Sequence, residues 1–101
     1  MLKVAGQYVS PFEVEAALMR HEAVLEAAVV GKLEDGLTRT LAYVVLKSGE
    51  GDEALADALK AFVKGELAPH KYPREIRFIA DLPKTATGKI QRFKLRDAAN
   101  G

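Results

Sequence analysis

The sequence predicts an α+β fold: a small mixed sheet of about three main strands plus an N-terminal hairpin, with helices packed on it. Three observations carry this. Val24–Val30, Thr40–Leu46 and Glu75–Ala80 are apolar or partly alternating runs bounded by turn residues. The segments after Ser10 and Asp52 combine a helix-capping residue with apolar side chains at helical spacing. No internal repeat or low-complexity tract competes with this reading.

Leu2–Ala5 reads as a short strand, broken by Gly6 and resumed at Gln7-Tyr8-Val9, a hairpin-like start. Ser10-Pro11-Phe12-Glu13 is a helix start, with Ser10 as cap, Pro11 at the first helical position and Glu13 completing a capping box. Val14, Ala17 and Leu18 continue that helix to about Arg20 or His21. Glu13 and Glu15 point to different faces of it, which suits a cap and a surface charge rather than an acid/base pair. Val24–Val30 is a strand, with Gly31 and Glu34-Asp35-Gly36 marking the turn. Thr40–Leu46 is apolar enough to be buried on both faces.

Ser48-Gly49-Glu50-Gly51 is a loop, and Asp52 caps a helix whose stripe is Leu55, Ala58, Leu59, Phe62 and Val63. Gly65 weakens its last turn and Pro69 stops it. Tyr72-Pro73 is extended, Glu75–Ala80 is the third main strand, and Leu82-Pro83 ends it. Thr85–Gly88 is expected to be an irregular loop, followed by a short terminal helix around Phe93 and Leu95.

At 101 residues the chain has the length of one domain, and with 49% hydrophobic residues it can form one core. Its 15 basic and 14 acidic residues leave a formal charge of +1, no general argument for nucleic-acid or membrane binding. The absence of cysteine excludes thiolate chemistry, disulfides and cysteine zinc sites. No apolar run is long enough to cross a bilayer and no secretory signal is seen, so a cytoplasmic location is expected. The charge is uneven, since Lys84, Lys89, Arg92, Lys94 and Arg96 follow one another with no acidic residue between them.

The sharpest chemical feature is Pro83-Lys84-Thr85-Ala86-Thr87-Gly88-Lys89. Gly88 lets the backbone approach a ligand, Thr85 and Thr87 offer hydroxyls, and Lys89 offers a positive point charge, a set suited to phosphate. It is not a P-loop: Pro83 stands where the first glycine belongs, and Ile90 where the magnesium-binding Ser or Thr belongs. From residue types alone, a surface loop with a solvated lysine outweighs a phosphate site. His21 and His70 have no visible partner and suit helix-end or surface roles, and no metal site is expected.

Together with Lys3-Val4-Ala5-Gly6-Gln7-Tyr8-Val9-Ser10-Pro11-Phe12-Glu13-Val14-Glu15, this segment resembles the two signature motifs of the C-terminal domain of adenylate-forming enzymes. The resemblance runs from Lys3 to about Arg96, and its wording is most like that of benzoate- and other aryl-CoA ligases. It implies that residues 1–101 are the C-terminal lid domain, beginning just after the family's hinge residue, with the large N-terminal ATP- and acid-binding domain absent.

In the implied reaction an acid and ATP give an acyl-adenylate, which CoA converts to a thioester. The resemblance makes Lys89 the catalytic lysine of the first step, with Thr85, Thr87 and Gly88 as its nucleotide loop. It makes Gly6, Gln7 and Tyr8 part of the pantetheine channel in the second step, and it makes Lys89 a candidate acetylation site. The implied partners are the N-terminal domain, a protein acetyltransferase and a deacetylase, with no nucleic acid and no membrane. ATP with Mg2+ and CoA are substrates of the full-length enzyme; none is expected bound to this domain alone, which is expected to be inactive. The competing reading is a free-standing basic module that binds nucleic acid or an anionic partner through residues 84–96. It is weakened because the tail has no stacking aromatic beyond Phe93.

Overall fold

Two long strands form the centre of the structure. β3 (Val24–Glu34) and β4 (Leu37–Leu46) pair antiparallel, from Val24↔Leu46 to Glu34↔Leu37. β5 (Glu75–Phe78) runs parallel to β4 on its other side, from Leu41↔Glu75 to Val44↔Phe78, so the sheet is mixed in the order β3-β4-β5. β1 (Leu2–Val4) and β2 (Gln7–Val9) form a separate antiparallel pair. Among the described residues there are three helices: α1 (Pro11–Met19), α2 (Glu53–Glu66) and α3 (Arg92–Asn100). The computed structural model describes residues 2–4, 7–34, 36–67 and 72–100, and for residues 2–4, 7–9, 34 and 37 the backbone alone.

The sheet separates two apolar layers. Side chains alternate along a strand, so Ala42 and Val44 of β4 face one side and Leu41, Tyr43 and Val45 the other. The first set joins Ala27 and Val29 of β3, Val14, Ala17 and Leu18 of α1, and Leu59 and Val63 of α2. The second joins Ala28 and Val30 of β3 with Leu95 of α3 and with Leu82 of the segment after β5. Burial of β4 on both faces follows from this layering, because helices cover each side.

The parity of β3 is reset near its start. Val24 packs with Ala27 and Val29, which strict alternation forbids. A bulge between Val24 and Glu26 inserts Leu25, which is exposed, and so returns Val24 to the α1 side.

Several element boundaries differ from the sequence reading. β3 continues through Gly31 to Glu34 and β4 begins at Leu37, with Gly36 before it in the left-handed region at φ +78°. β5 ends at Phe78, although the Ile79 N–H still donates to the Val44 carbonyl at 3.0 Å. The hydroxyl of Ser10 makes no capping bond. Pro11 removes one of the free N–H groups there, and the Val14 N–H donates to the Ser10 carbonyl at 3.3 Å. Asp52 does cap α2, accepting the Leu55 N–H at 2.8 Å. On α2, Ala58 faces solvent while Ala56, Leu59 and Val63 are buried and Leu55 and Phe62 half-buried. Pro69 and His70 lie outside the described residues.

Candidate functional site

The segment around Lys89 is an ordered hairpin rather than an irregular loop. Its base is a bridge between Lys84 and Ile90, reinforced by the Gln91 N–H donating to the Pro83 carbonyl at 2.8 Å. Above it, the Thr85 N–H donates to the Lys89 carbonyl at 2.8 Å and the Gly88 N–H to the Thr85 carbonyl at 2.9 Å. Gly88 sits at φ +87°, a conformation that glycine adopts without steric cost. These bonds describe a four-residue turn closed by a glycine bulge. Leu82 is buried and Ile90 half-buried in the layer beneath α3, so the base rests on the core.

The two threonines are engaged within the hairpin. Thr85 Oγ1 accepts the Lys89 N–H at 3.2 Å and lies 2.9 Å from Thr87 Oγ1. Either hydroxyl can donate to the other, so one hydroxyl hydrogen of the pair remains for a ligand. Their first effect is to hold the loop's shape, which residue types alone did not reveal.

The cations of this region divide into held and unheld. Lys84 Nζ donates to Glu26 Oε1 of β3 at 2.6 Å. The hydrogen bond to that carboxylate, with its charge, holds the Lys84 ammonium above the usual lysine range. Arg92 grips Glu15 of α1 in a two-pronged pair, Nε to Oε1 at 2.9 Å and Nη2 to Oε2 at 2.6 Å. Lys89 is exposed, and its ammonium has no ion-pair or hydrogen-bond partner among the described residues.

Glu15 is a correction to the sequence reading. It is buried, with 6% of its surface exposed, and Oε1 also accepts the Val29 N–H of β3 at 2.8 Å. The Arg92 guanidinium lies 4.8 Å from the centre of the Phe12 ring, although that ring is otherwise exposed. The partner that buries Glu15 lies 77 positions away, so no local pattern announces it. His21 does take the helix-end role expected of it: Nδ1 accepts the Ala23 N–H at 3.1 Å, and the ring meets Phe62 edge-on.

The other expected site is described only in part. The backbones of Gln7 and Tyr8 pair with Val4 and Lys3, which gives the hairpin, while Gly6 lies outside the described residues. A polar concavity of about 340 Å³ is lined by Lys32, Arg39, Thr40, Arg74 and Glu75, none of them from the Lys89 hairpin. Among the described residues, no group of three His, Asp or Glu side chains could hold a metal ion. No helix among them is long and apolar enough to cross a membrane.

Comparison with known proteins gives a consistent result. A family model, the AMP-binding enzyme C-terminal domain, matches residues 13–89. The chain is 68% identical over 100 residues to a benzoate–CoA ligase of Thauera aromatica, covering 97% of this chain and 19% of that protein. It is 51% identical over 104 residues to a 4-hydroxybenzoate–CoA/benzoate–CoA ligase of Rhodopseudomonas palustris, covering 100% of this chain and 19% of the relative. Among solved structures, a benzoate CoA ligase from Burkholderia xenovorans LB400 superposes with a TM-score of 0.85 at 67% identity, over 89% of this chain and 19% of that one. The anthranilate CoA ligase AuaEII, solved with anthranoyl-AMP, gives 0.91 at 47% identity, over 99% and 20%. The chain thus spans about a fifth of the length of these relatives.

Proposed function

This chain belongs to the family of AMP-binding enzyme C-terminal domains, and from that premise we propose that it is the lid domain of an aryl-CoA ligase, acting with a large N-terminal domain that binds ATP and the acid. The observation that carries the proposal is the exposed ammonium of Lys89, without a partner among the described residues, beside the turn of a hairpin held by backbone bonds.

In the first step a carboxylate oxygen attacks the α-phosphorus of ATP. The new bond is acyl O–P, the bond between the α- and β-phosphates breaks, and pyrophosphate leaves with its Mg2+. Two anions must approach, and charge builds on the phosphoryl oxygens. A lysine ammonium reaching both lowers that barrier, as a preorganised charge does when aimed at the transition state. Lys84 and Arg92 are already held by carboxylates, whereas Lys89 is available for this work. Gly88 and the remaining hydroxyl hydrogen of Thr85 and Thr87 then serve the phosphate side.

In the second step the CoA sulfur attacks the acyl carbon, a C–S bond forms, the bond from the acyl carbon to the phosphate oxygen breaks, AMP leaves and the thiol proton passes to water. The segment Gly6-Gln7-Tyr8 lines the thiol's path after the domain rotates, so two faces of one small domain serve two half-reactions. The benzoate relatives favour an aromatic acid as substrate. A cytoplasmic location belongs to the same reading.

Acetylation of Lys89 by a protein acetyltransferase, reversed by a deacetylase, would remove the charge the first step uses. Peptide mapping after treatment with such an enzyme is expected to find the acetyl group on Lys89. The regulatory idea fails if other lysines react and Lys89 does not.

A basic nucleic-acid module is not supported. Two of the five cations between residues 84 and 96 are neutralised by Glu26 and Glu15.

The proposal is tested by joining residues 1–101 to the N-terminal part of the Thauera aromatica benzoate–CoA ligase. Supplied with benzoate, ATP, Mg2+ and CoA, the joined protein is expected to form benzoyl-CoA and AMP. A folded, ATP-binding fusion that forms neither would count against the lid-domain reading.

A further inference from the structure

Resting on that reading, we propose that the Glu15–Arg92 pair is the positioning device for Lys89, registering the lysine hairpin against α1 and β3. Arg92 is three residues after Lys89 and opens α3. Its two bonds to Glu15, at 2.9 and 2.6 Å, use the planar fork of a guanidinium, which fits a carboxylate face to face. Glu15 is itself held, since Oε1 also takes the outward-facing Val29 N–H of the edge strand. The carboxylate thus ties three elements, α1, β3 and the start of α3, at one point.

From Arg92 the constraint passes up the hairpin by two backbone bonds, the Gln91 N–H to the Pro83 carbonyl and the Thr85 N–H to the Lys89 carbonyl, which flank the Lys84–Ile90 bridge. The opposite stem is tied to the same strand by Lys84 and Glu26. With each stem fixed to the body, Lys89 extends from a rigid base. The Glu15–Arg92 pair is the more buried of the two, with the Glu15 side chain only 8% exposed. It is therefore less screened and harder to replace by water.

The device acts through Lys89, so its loss should affect the lysine's half-reaction alone. The test uses the joined enzyme with Arg92→Lys, Glu15→Gln, Lys89→Ala and the double variant Lys89→Ala/Arg92→Lys. Adenylation is followed by benzoate-dependent exchange of pyrophosphate into ATP, and thioester formation by reaction of synthetic benzoyl-adenylate with CoA. Arg92→Lys keeps the charge but cannot make the two-pronged contact.

It is expected to lower adenylation kcat by roughly ten- to a hundredfold, as a small misplacement of a catalytic group does. KM for ATP and benzoate, and the thioester step, should stay near wild type. Glu15→Gln, which keeps an acceptor for Val29, should show the same selectivity. In the Lys89→Ala background Arg92→Lys should cost nothing further.

Equal losses in both half-reactions overturn the proposal, as does a full multiplicative loss in the Lys89→Ala background. If Arg92→Lys and Glu15→Gln both unfold the enzyme, the pair is a folding element only and the proposal falls. If Lys89→Ala itself leaves adenylation intact, the assigned role of Lys89 fails before the question of its positioning arises.

Discussion

Single residues decide how charge is handled in this domain. Glu75 on β5 accepts from Arg77 and, at 3.2 Å, from Lys32 of β3. The hydrogen bond from Arg77 first, then that from Lys32 and both positive charges, hold its carboxyl below the usual glutamate range against the opposing effect of burial. A carboxyl depressed in the folded state contributes stability that is complete above its unfolded pKa, roughly 4.3, and is lost as pH falls through the lower folded value. Urea melts of the wild type should therefore weaken more steeply between about pH 5 and pH 3 than those of Glu75→Gln. Parallel pH profiles would contradict the assignment. Residue types alone favoured a surface loop with a solvated lysine at Gly88-Lys89, and only the resemblance of the whole segment to a family motif singled out Lys89. Glu15 was not legible. Its meaning depends on Arg92, and a carboxylate two positions from another on a helix looks like a solvated charge until the far partner is known.

Elements were legible where the signal is local. The cap at Asp52 was correct because its carboxylate and the Leu55 N–H lie three residues apart. Ser10 showed the same local pattern, yet its hydroxyl makes no capping bond. The two sites should separate on substitution: Asp52→Ala is expected to cost about 1 kcal/mol, while Ser10→Ala costs a few tenths at most. Equal costs by denaturant titration would show that Ser10 caps α1 in solution. The bulge at Leu25 was not legible either, since apart from Glu26 the run Val24–Val30 is apolar at every position and its parity can be read in either register. The extent of β3 was underestimated for a related reason: Gly31 reads as a stop, but pairing with Thr40 carries the strand past it. The Lys89 hairpin was read as irregular because its order comes from backbone bonds and from threonine hydroxyls that were read as free to meet a ligand.

At the scale of the whole molecule, a small mixed sheet of about three main strands with helices packed on it was predictable from the sequence of elements, because each apolar run needed a covering layer. Which face each helix covers was not predictable, as it depends on the bulge and on the parallel joining of β5 to β4. That layering brings the end of the chain back over β3, where Asn100 Oδ1 accepts the Leu33 N–H at 2.6 Å and Nδ2 donates to the Gly31 carbonyl at 3.2 Å. Glu15 covers the same edge at Val29, so side chains occupy backbone groups that would otherwise recruit another strand. With these backbone groups of β3 covered and the lysine hairpin tied to the core, the domain suits the proposed presentation of Lys89 to a separate body.

The central claim is that Lys89 serves adenylation and not thioester formation. The most direct measurement compares wild type and Lys89→Ala in the joined enzyme, one half-reaction at a time. The account predicts a loss of about a hundredfold or more in pyrophosphate exchange, with thioester formation from benzoyl-adenylate and CoA near wild type. Unchanged exchange, or an equal loss in both steps, would contradict it.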